Sequence, residues 1–105
     1  IVVQDPELSD KFKQPNVSPL MYYTYILLSL KDWKFYIGYS SDLKQRIKDH
    51  FCGKNKSTSP RRPFKLIYYE AHLSKNDAMR RERYFKTDKG KSSLKQMLRE
   101  SLSCH

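Results

Sequence analysis

Five side chains in this sequence are of types that can act on a phosphate ester: Tyr25, Tyr36, Arg46, His50 and Glu82. A tyrosine hydroxyl can position or deprotonate water, a guanidinium can stabilise the extra charge that builds up on phosphorus, and an imidazole can tune both. Asp42, Arg46 and His50 recur at every fourth position, which puts an acid, a guanidinium and an imidazole on one face of a helix. Leu43, Ile47 and Phe51 supply the adjoining apolar face that would seat this helix on a sheet. Tyr25 and Tyr36 are separated by a hairpin's length, so paired strands can bring the two phenols out side by side. Taken singly, strand tyrosines mostly pack and basic helix faces mostly face water; the combination is what points to phosphodiester hydrolysis.

Glu82 has two readings. Ala78, Met79 and Phe85 mark the sheet-facing side of its helix, and Glu82 lies on that seam. Position alone favours the common role of a helix glutamate, an ion pair with Lys86 four residues on. The alternative is a single carboxylate holding a hard divalent cation, with water and phosphate oxygens completing the shell. Around these residues lie Lys54, Lys56, Arg61, Arg62 and Lys65 in one stretch and Arg80, Arg81, Arg83, Lys86, Lys89 and Lys91 in another. Such a surface can serve solubility alone, but cations flanking a candidate site fit phosphate-backbone contact better, and that contact carries no sequence preference.

The elements that must position these groups follow from pattern. Tyr22 to Leu30 reads as a strand buried on both faces, Lys31 to Lys34 as a polar hairpin connection, and Phe35 to Tyr39 as the return strand. Gly38 reads as a residue that lets the backbone turn tightly into the first helix. Ser40 or Ser41 is expected to cap that helix, which runs to about Phe51 and stops at Gly53. Lys54 to Pro63 is expected to be an exposed, partly mobile basic loop, and Phe64 to His72 a third strand. Ser74 and Asp77 resemble a capping box opening a helix from about Lys75 to Thr87, which Gly90 ends. A last helix is expected from Ser92 to about Leu102, with Leu94, Met97, Leu98 and Leu102 on one side. The order β-β-α-β-α-α describes a small α+β fold: a three-stranded, mainly antiparallel sheet flanked by helices.

At 105 residues, with 38% hydrophobic and 30% charged side chains, the chain is expected to hold one globular domain with a modest core. Residues 1–20 are proline-bearing and aperiodic. They read as a flexible leader, upstream or appended, with the domain itself spanning 21–105. Lys11 and Lys13 are outnumbered there by Asp5, Glu7 and Asp10, so the whole of the +10 net charge lies beyond the leader. That excess, interleaved with tyrosine and phenylalanine, predicts a nucleic-acid partner. No stretch approaches the ~18 apolar residues of a membrane span, and no signal sequence opens the chain, so the expected setting is the cytoplasm without membrane attachment. Cys52 and Cys104, far apart, read as reduced thiols, and with His50, His72 and His105 they lack the paired spacing of a zinc site.

Tyr36-Ile37-Gly38, preceded at a spacing of ten residues by Tyr23-Thr24-Tyr25, resembles the paired motif of the GIY-YIG nuclease domain. The resemblance continues through Ser40, Asp42-Leu43, Arg46, His50, Gly53, Thr58, Arg61-Arg62-Pro63, Leu66-Ile67-Tyr68, Glu70 and Ala78 to Glu82, and covers essentially residues 21–100, most like the small stand-alone bacterial members. It implies an endonuclease that hydrolyses one DNA strand at a time with a single Mg²⁺ or Mn²⁺. In that scheme Glu82 binds the metal, Arg46 steadies the scissile phosphate, His50 is accessory, and Tyr25 and Tyr36 are the motif tyrosines, Tyr36 being the one that activates water. It also implies DNA as partner, with RNA not excluded, and branched or damaged DNA in repair or recombination as a candidate target. A non-catalytic nucleic-acid-binding module and a nuclease completed by a specificity-giving partner protein are the alternatives. Two positions depart from the pattern. Tyr23 and Thr24 replace the first motif's glycine and isoleucine, and no asparagine follows Asn76, where many members place one beyond the metal glutamate.

Overall fold

The computed structural model describes residues 20–103, so the expectations for the leader, Cys104 and His105 lie outside the described residues. Strands β1 (Tyr22–Ser29), β2 (Phe35–Ser40) and β3 (Phe64–His72) form one antiparallel sheet in the order β2-β1-β3. Helix α1 (Leu43–Cys52) follows β2, and α2 (Lys75–Phe85), α3 (Asp88–Met97) and α4 (Arg99–Ser103) follow β3. The fold is the expected α+β arrangement.

As the central strand, β1 buries both faces: every residue from Thr24 to Ser29 is buried, which the run Ile26-Leu27-Leu28 foretells. On one face Tyr25, Leu27 and Phe64 form a cluster with Tyr36, Leu43, Ile47 and Leu66, under α1. On the other, Ile26 and Ile37 pack with Phe85, Leu94 and Leu98, under α2 and α3. Each fully buried aliphatic or aromatic side chain contributes about 1.5–3 kcal/mol, so the central strand carries a large share of the stability.

Several local expectations change. Asp42, not a serine, caps α1 by accepting from the Gln45 N–H at 3.2 Å, because Ser40 is buried and its hydroxyl instead accepts from the Asp42 N–H at 2.9 Å. Gly53 does end α1, in the left-handed conformation at φ 81 that favours glycine. Phe51 does not seat the helix: it is 47% exposed, and His50 turns inward instead. Met97 likewise faces water at 44% exposure while Leu94 and Leu98 fill the core. The loop after α1 is partly tied down, with a 3-10 turn over Ser59–Arg61 and Thr58 buried at its head.

Gly90 does not end a helix. The stop comes earlier, at Phe85, and Thr87 caps α3 by accepting from the Gly90 N–H at 3.0 Å. Gly90 lies inside α3 because α3 runs against the last turn of α2: a Cβ there would overlap the Tyr84 carbonyl oxygen and stand 2.7 Å from the Phe85 Cα. Backbone cannot swing aside as a side chain can, so Gly90→Ala is expected to destabilise by about 3 kcal/mol or more, read as a fall in the urea midpoint without a change in m.

Candidate active site

The site is built around a buried hydroxyl. Tyr25 pairs with Gly38 across β1 and β2, and its ring lies over that glycine, reaching the edge strand. Gly38 is therefore not a turn residue: it sits inside β2, and its missing side chain is the space that the Tyr25 phenol occupies. The Tyr25 hydroxyl meets His50 Nε2 at 2.9 Å, and His50 Nδ1 meets the Thr58 hydroxyl at 2.9 Å. All three side chains are essentially out of solvent. Tyr36, half-buried, has its ring centroid 4.8 Å from that of His50 and 6.3 Å from that of Tyr25.

Burial pushes the Tyr25 phenol well above the usual tyrosine value. Tyr36 and the Glu82 carboxylate add to the rise, and Arg46 opposes it. Charges from α1 and α2 thus act on one hydroxyl at the β2 edge, although the two helices cover opposite faces of the sheet. Tyr25 stays protonated at any physiological pH, so it can orient but not accept a proton. His50 is held below the ordinary histidine value by burial first and by the Arg46 charge second. It is a neutral ring with both nitrogens engaged, not the exposed imidazole of a polar helix face.

A pH dependence follows. The unfolded chain takes up a proton on His50 near pH 6.5 while the folded chain resists it, so the associated stability is complete above that pH and drains as pH falls towards the lower folded value. Chemical denaturation of the native protein between pH 7.5 and 5 is expected to lose up to about 1.4 kcal/mol per pH unit that His50→Gln does not lose. Glu70 does not confuse the reading. Burial raises its pKa, but hydrogen bonds from Arg81, Tyr68 and His72 outweigh that and hold it below the usual value, so it protonates only at lower pH.

Glu82 fulfils the simpler expectation: its carboxylate pairs with Lys86 at 3.3 Å, with side-chain exposures of 21% and 55%. Glu82, half-buried in the last turn of α2, is thus held by an exposed lysine. Among the described residues no three His, Cys, Asp or Glu side chains gather as a metal cage. A hard cation at Glu82 would therefore have one protein carboxylate to take and would have to complete its shell with water and phosphate oxygens.

The basic residues divide. Lys54, Lys56, Arg62 and Arg80 are exposed, Arg80 pairing with Asp77 at 2.9 Å. Arg61 and Arg81 are structural clamps. Arg61 bonds Asp32 at 2.9 Å and the carbonyls of Lys34 and Phe35. Arg81 grips both oxygens of Glu70, at 2.9 and 2.6 Å, and lies over the Phe85 ring at 4.4 Å, locking α2 to β3. Composition cannot separate an arginine that meets phosphate from one that meets a carboxylate eleven residues away. Thr58, which fixes the second nitrogen of His50, is the site residue that charge and spacing alone did not single out.

Residues 21–96 match the family model of the GIY-YIG catalytic domain. A UPF0213 protein of Staphylococcus haemolyticus (strain JCSC1435) is 43% identical over 75 residues, covering 70% of this chain and 90% of that one. The UPF0213 protein YazA of Bacillus subtilis (strain 168) is 43% identical over 63 residues, 59% of this chain and 64% of YazA, so the match spans just under two thirds of that protein. The solution NMR structure of a UPF0213 protein from Bacillus halodurans is similar at 40% identity and a TM-score of 0.48, covering 74% of this chain and 85% of that one. With both tyrosine motifs, the α1 arginine and the α2 glutamate inside the matched span, the chain belongs to the GIY-YIG catalytic domain family.

Proposed function

We propose that this protein is a metal-dependent DNA endonuclease, a cytoplasmic enzyme whose targets include branched or damaged DNA in repair. The observation that carries the reading is the convergence on the Tyr25 hydroxyl: it bonds His50, and it feels Tyr36, Arg46 and Glu82 together. Glu82 would hold one Mg²⁺ or Mn²⁺, which supplies Lewis acidity and a clamp on the leaving oxygen when bound. The chain's own groups do the rest. Arg46, exposed on α1, meets the phosphate and offsets the charge that grows on its oxygens. Tyr36 orients the attacking water, while protonated Tyr25 and neutral His50 hold Tyr36 in place. One P–O bond forms to the water oxygen, which gives up a proton to solvent; one P–O ester bond breaks, and the leaving oxygen takes a proton up from solvent. Lys54, Lys56, Arg62, Arg80 and Lys86 are the backbone contacts.

A second reading rests on the Glu82–Lys86 pair, which closes the carboxylate against a cation and favours a binding module without chemistry. Purified protein should be offered single-stranded, duplex, flap and junction DNA, and RNA, with Mg²⁺, Mn²⁺ or EDTA. Metal-dependent product that disappears in Glu82→Gln supports the nuclease. Salt-sensitive binding with no product under either metal supports the module.

A further inference from the structure

Thr58 stands where a threonine ordinarily caps a helix, directly before the 3-10 turn Ser59–Arg61, yet its hydroxyl makes no capping bond. It is 1% exposed and turns inward, to His50 Nδ1 at 2.9 Å. The turn that carries it is held on both sides. The Ser57 hydroxyl donates to Asn55 Oδ1 at 2.7 Å, and the Ser29 hydroxyl donates to the Arg61 carbonyl at 2.7 Å. A hydroxyl has one proton to give, and two acceptors lie within reach of this one: His50 Nδ1, and the Asn55 carbonyl at 3.4 Å. The carbonyl is the farther of the two. It also accepts already from the N–H groups of Ser59 at 2.9 Å and of Thr58 itself at 3.3 Å. The proton goes to the nearer and less occupied acceptor, so Thr58 donates to Nδ1.

Proton counting gives the rest of the chain. Burial, and after it the Arg46 charge, keeps His50 a neutral ring, so an Nδ1 that accepts leaves the ring proton on Nε2. Nε2–H then donates to the Tyr25 oxygen at 2.9 Å. Tyr25 keeps its own proton: burial raises its pKa most, and the charge of Tyr36 and a hydrogen bond to Tyr36 add to the rise. With its oxygen facing His50, the Tyr25 proton is turned to Tyr36, whose ring centroid lies 6.3 Å away. The opposite order, Tyr25 to Nε2 and Nδ1–H to Thr58, would send the threonine proton to the distant carbonyl.

We propose that Thr58 is a positioning residue for this site: it fixes His50 as the Nε2–H tautomer, so that donation runs from Thr58 through His50 and Tyr25 to the Tyr36 oxygen. The Tyr36 proton is thereby left to face outward, towards the water or phosphate oxygen that Tyr36 orients. Thr58 touches none of the reacting groups itself. Its purpose rests on the nuclease reading, whereas the tautomer it sets can be read without any cleavage.

Long-range proton–nitrogen spectra of the histidine rings in the metal-free full chain read that tautomer, with the His50 signals assigned by their absence from His50→Gln. A protonated Nε2 and a bare Nδ1 are expected. Thr58→Val keeps the shape and removes the donor, so the two nitrogen shifts should move towards each other as the tautomers mix. The Tyr36 Cζ signal, which reports hydrogen bonding at its oxygen, should shift in Thr58→Val, and Thr58→Ser should restore both. In metal-dependent cleavage Thr58→Val should lower kcat about tenfold, the weight of one buried hydrogen bond, with DNA affinity within about twofold. Thr58→Ser should recover most of that loss, which a merely packed threonine would not require. A protonated Nδ1 in the native protein overturns the proposal whether or not Thr58→Val folds. So does a His50 pattern or a Tyr36 signal that Thr58→Val leaves unmoved, or a kcat unchanged by it. The expected spectra with no cleavage under any metal would leave the hold of Thr58 on the chain standing and remove the nuclease.

Discussion

Glu82→Gln is expected to lower metal-dependent strand cleavage by about 10³-fold or more while leaving the melting temperature nearly where it was. The asymmetry follows from the position of the carboxylate. It lies half-buried in the last turn of α2 and pairs with exposed Lys86 at 3.3 Å, and a pair open to solvent on the lysine side is worth about 0–1 kcal/mol. Glutamine keeps the shape and the helix but removes the negative charge on which a cation depends. Lys86→Met provides the opposite sign. With the competing ammonium gone, Glu82 should take the metal at lower concentration, so the Mg²⁺ needed for half-maximal cleavage falls. Gel assays of nicking against Mg²⁺ titration read both. Robust cleavage by Glu82→Gln would exclude this carboxylate as ligand and with it the proposed centre.

The strands were legible from residue type, and with them the two tyrosines. Ile26-Leu27-Leu28 could only be a strand covered on both sides, and the hairpin spacing then places Tyr25 and Tyr36 on one face. The helix from 43 was legible too, yet which residue it turned inward was not. Leu43, Ile47 and Phe51 satisfy an apolar stripe, but the hollow beneath α1 already holds the Tyr25 hydroxyl, which needs a polar partner, so His50 goes in and Phe51 stays out. The α2–α3 break was misplaced because Gly90 carries two opposite meanings. Glycine is a helix stop by conformation and a close-packing residue by size, and only the Tyr84 carbonyl beside it decides which. Glu82 read two ways from sequence, and the structure shows the first, a partner at i+4; the cation reading belongs to the proposal. Arg61 and Arg81 were legible as charges but not as clamps, since Asp32 and Glu70 approach them only through the tertiary fold.

Gly38→Ala should damage the protein more than its place on an edge strand suggests. The added methyl would overlap the hydroxyl end of the Tyr25 ring and stand 2.8 Å from its Cε1. That ring cannot retreat: it is buried, bonded to His50, and packed with Leu27 and Phe64. Overpacking against a pinned aromatic costs about 2–3 kcal/mol, or 10 °C or more in melting temperature for a domain of this size. Molecules that do fold must tilt Tyr25 away from His50, and a displacement of that order in a positioning group lowers cleavage by about 10²-fold. A double-mutant cycle separates this from a general intolerance of side chains in β2. In a Tyr25→Ala background the space is already vacant, so adding the Gly38 methyl should cost well under about 1 kcal/mol, and the coupling energy between the two sites should account for most of the single-mutant loss. Equal costs in both backgrounds would mean that the phenol does not lie over the glycine in solution. The bond from Tyr25 to His50, and the neighbourhood in which Arg46 and Glu82 act on one hydroxyl, would then have no support.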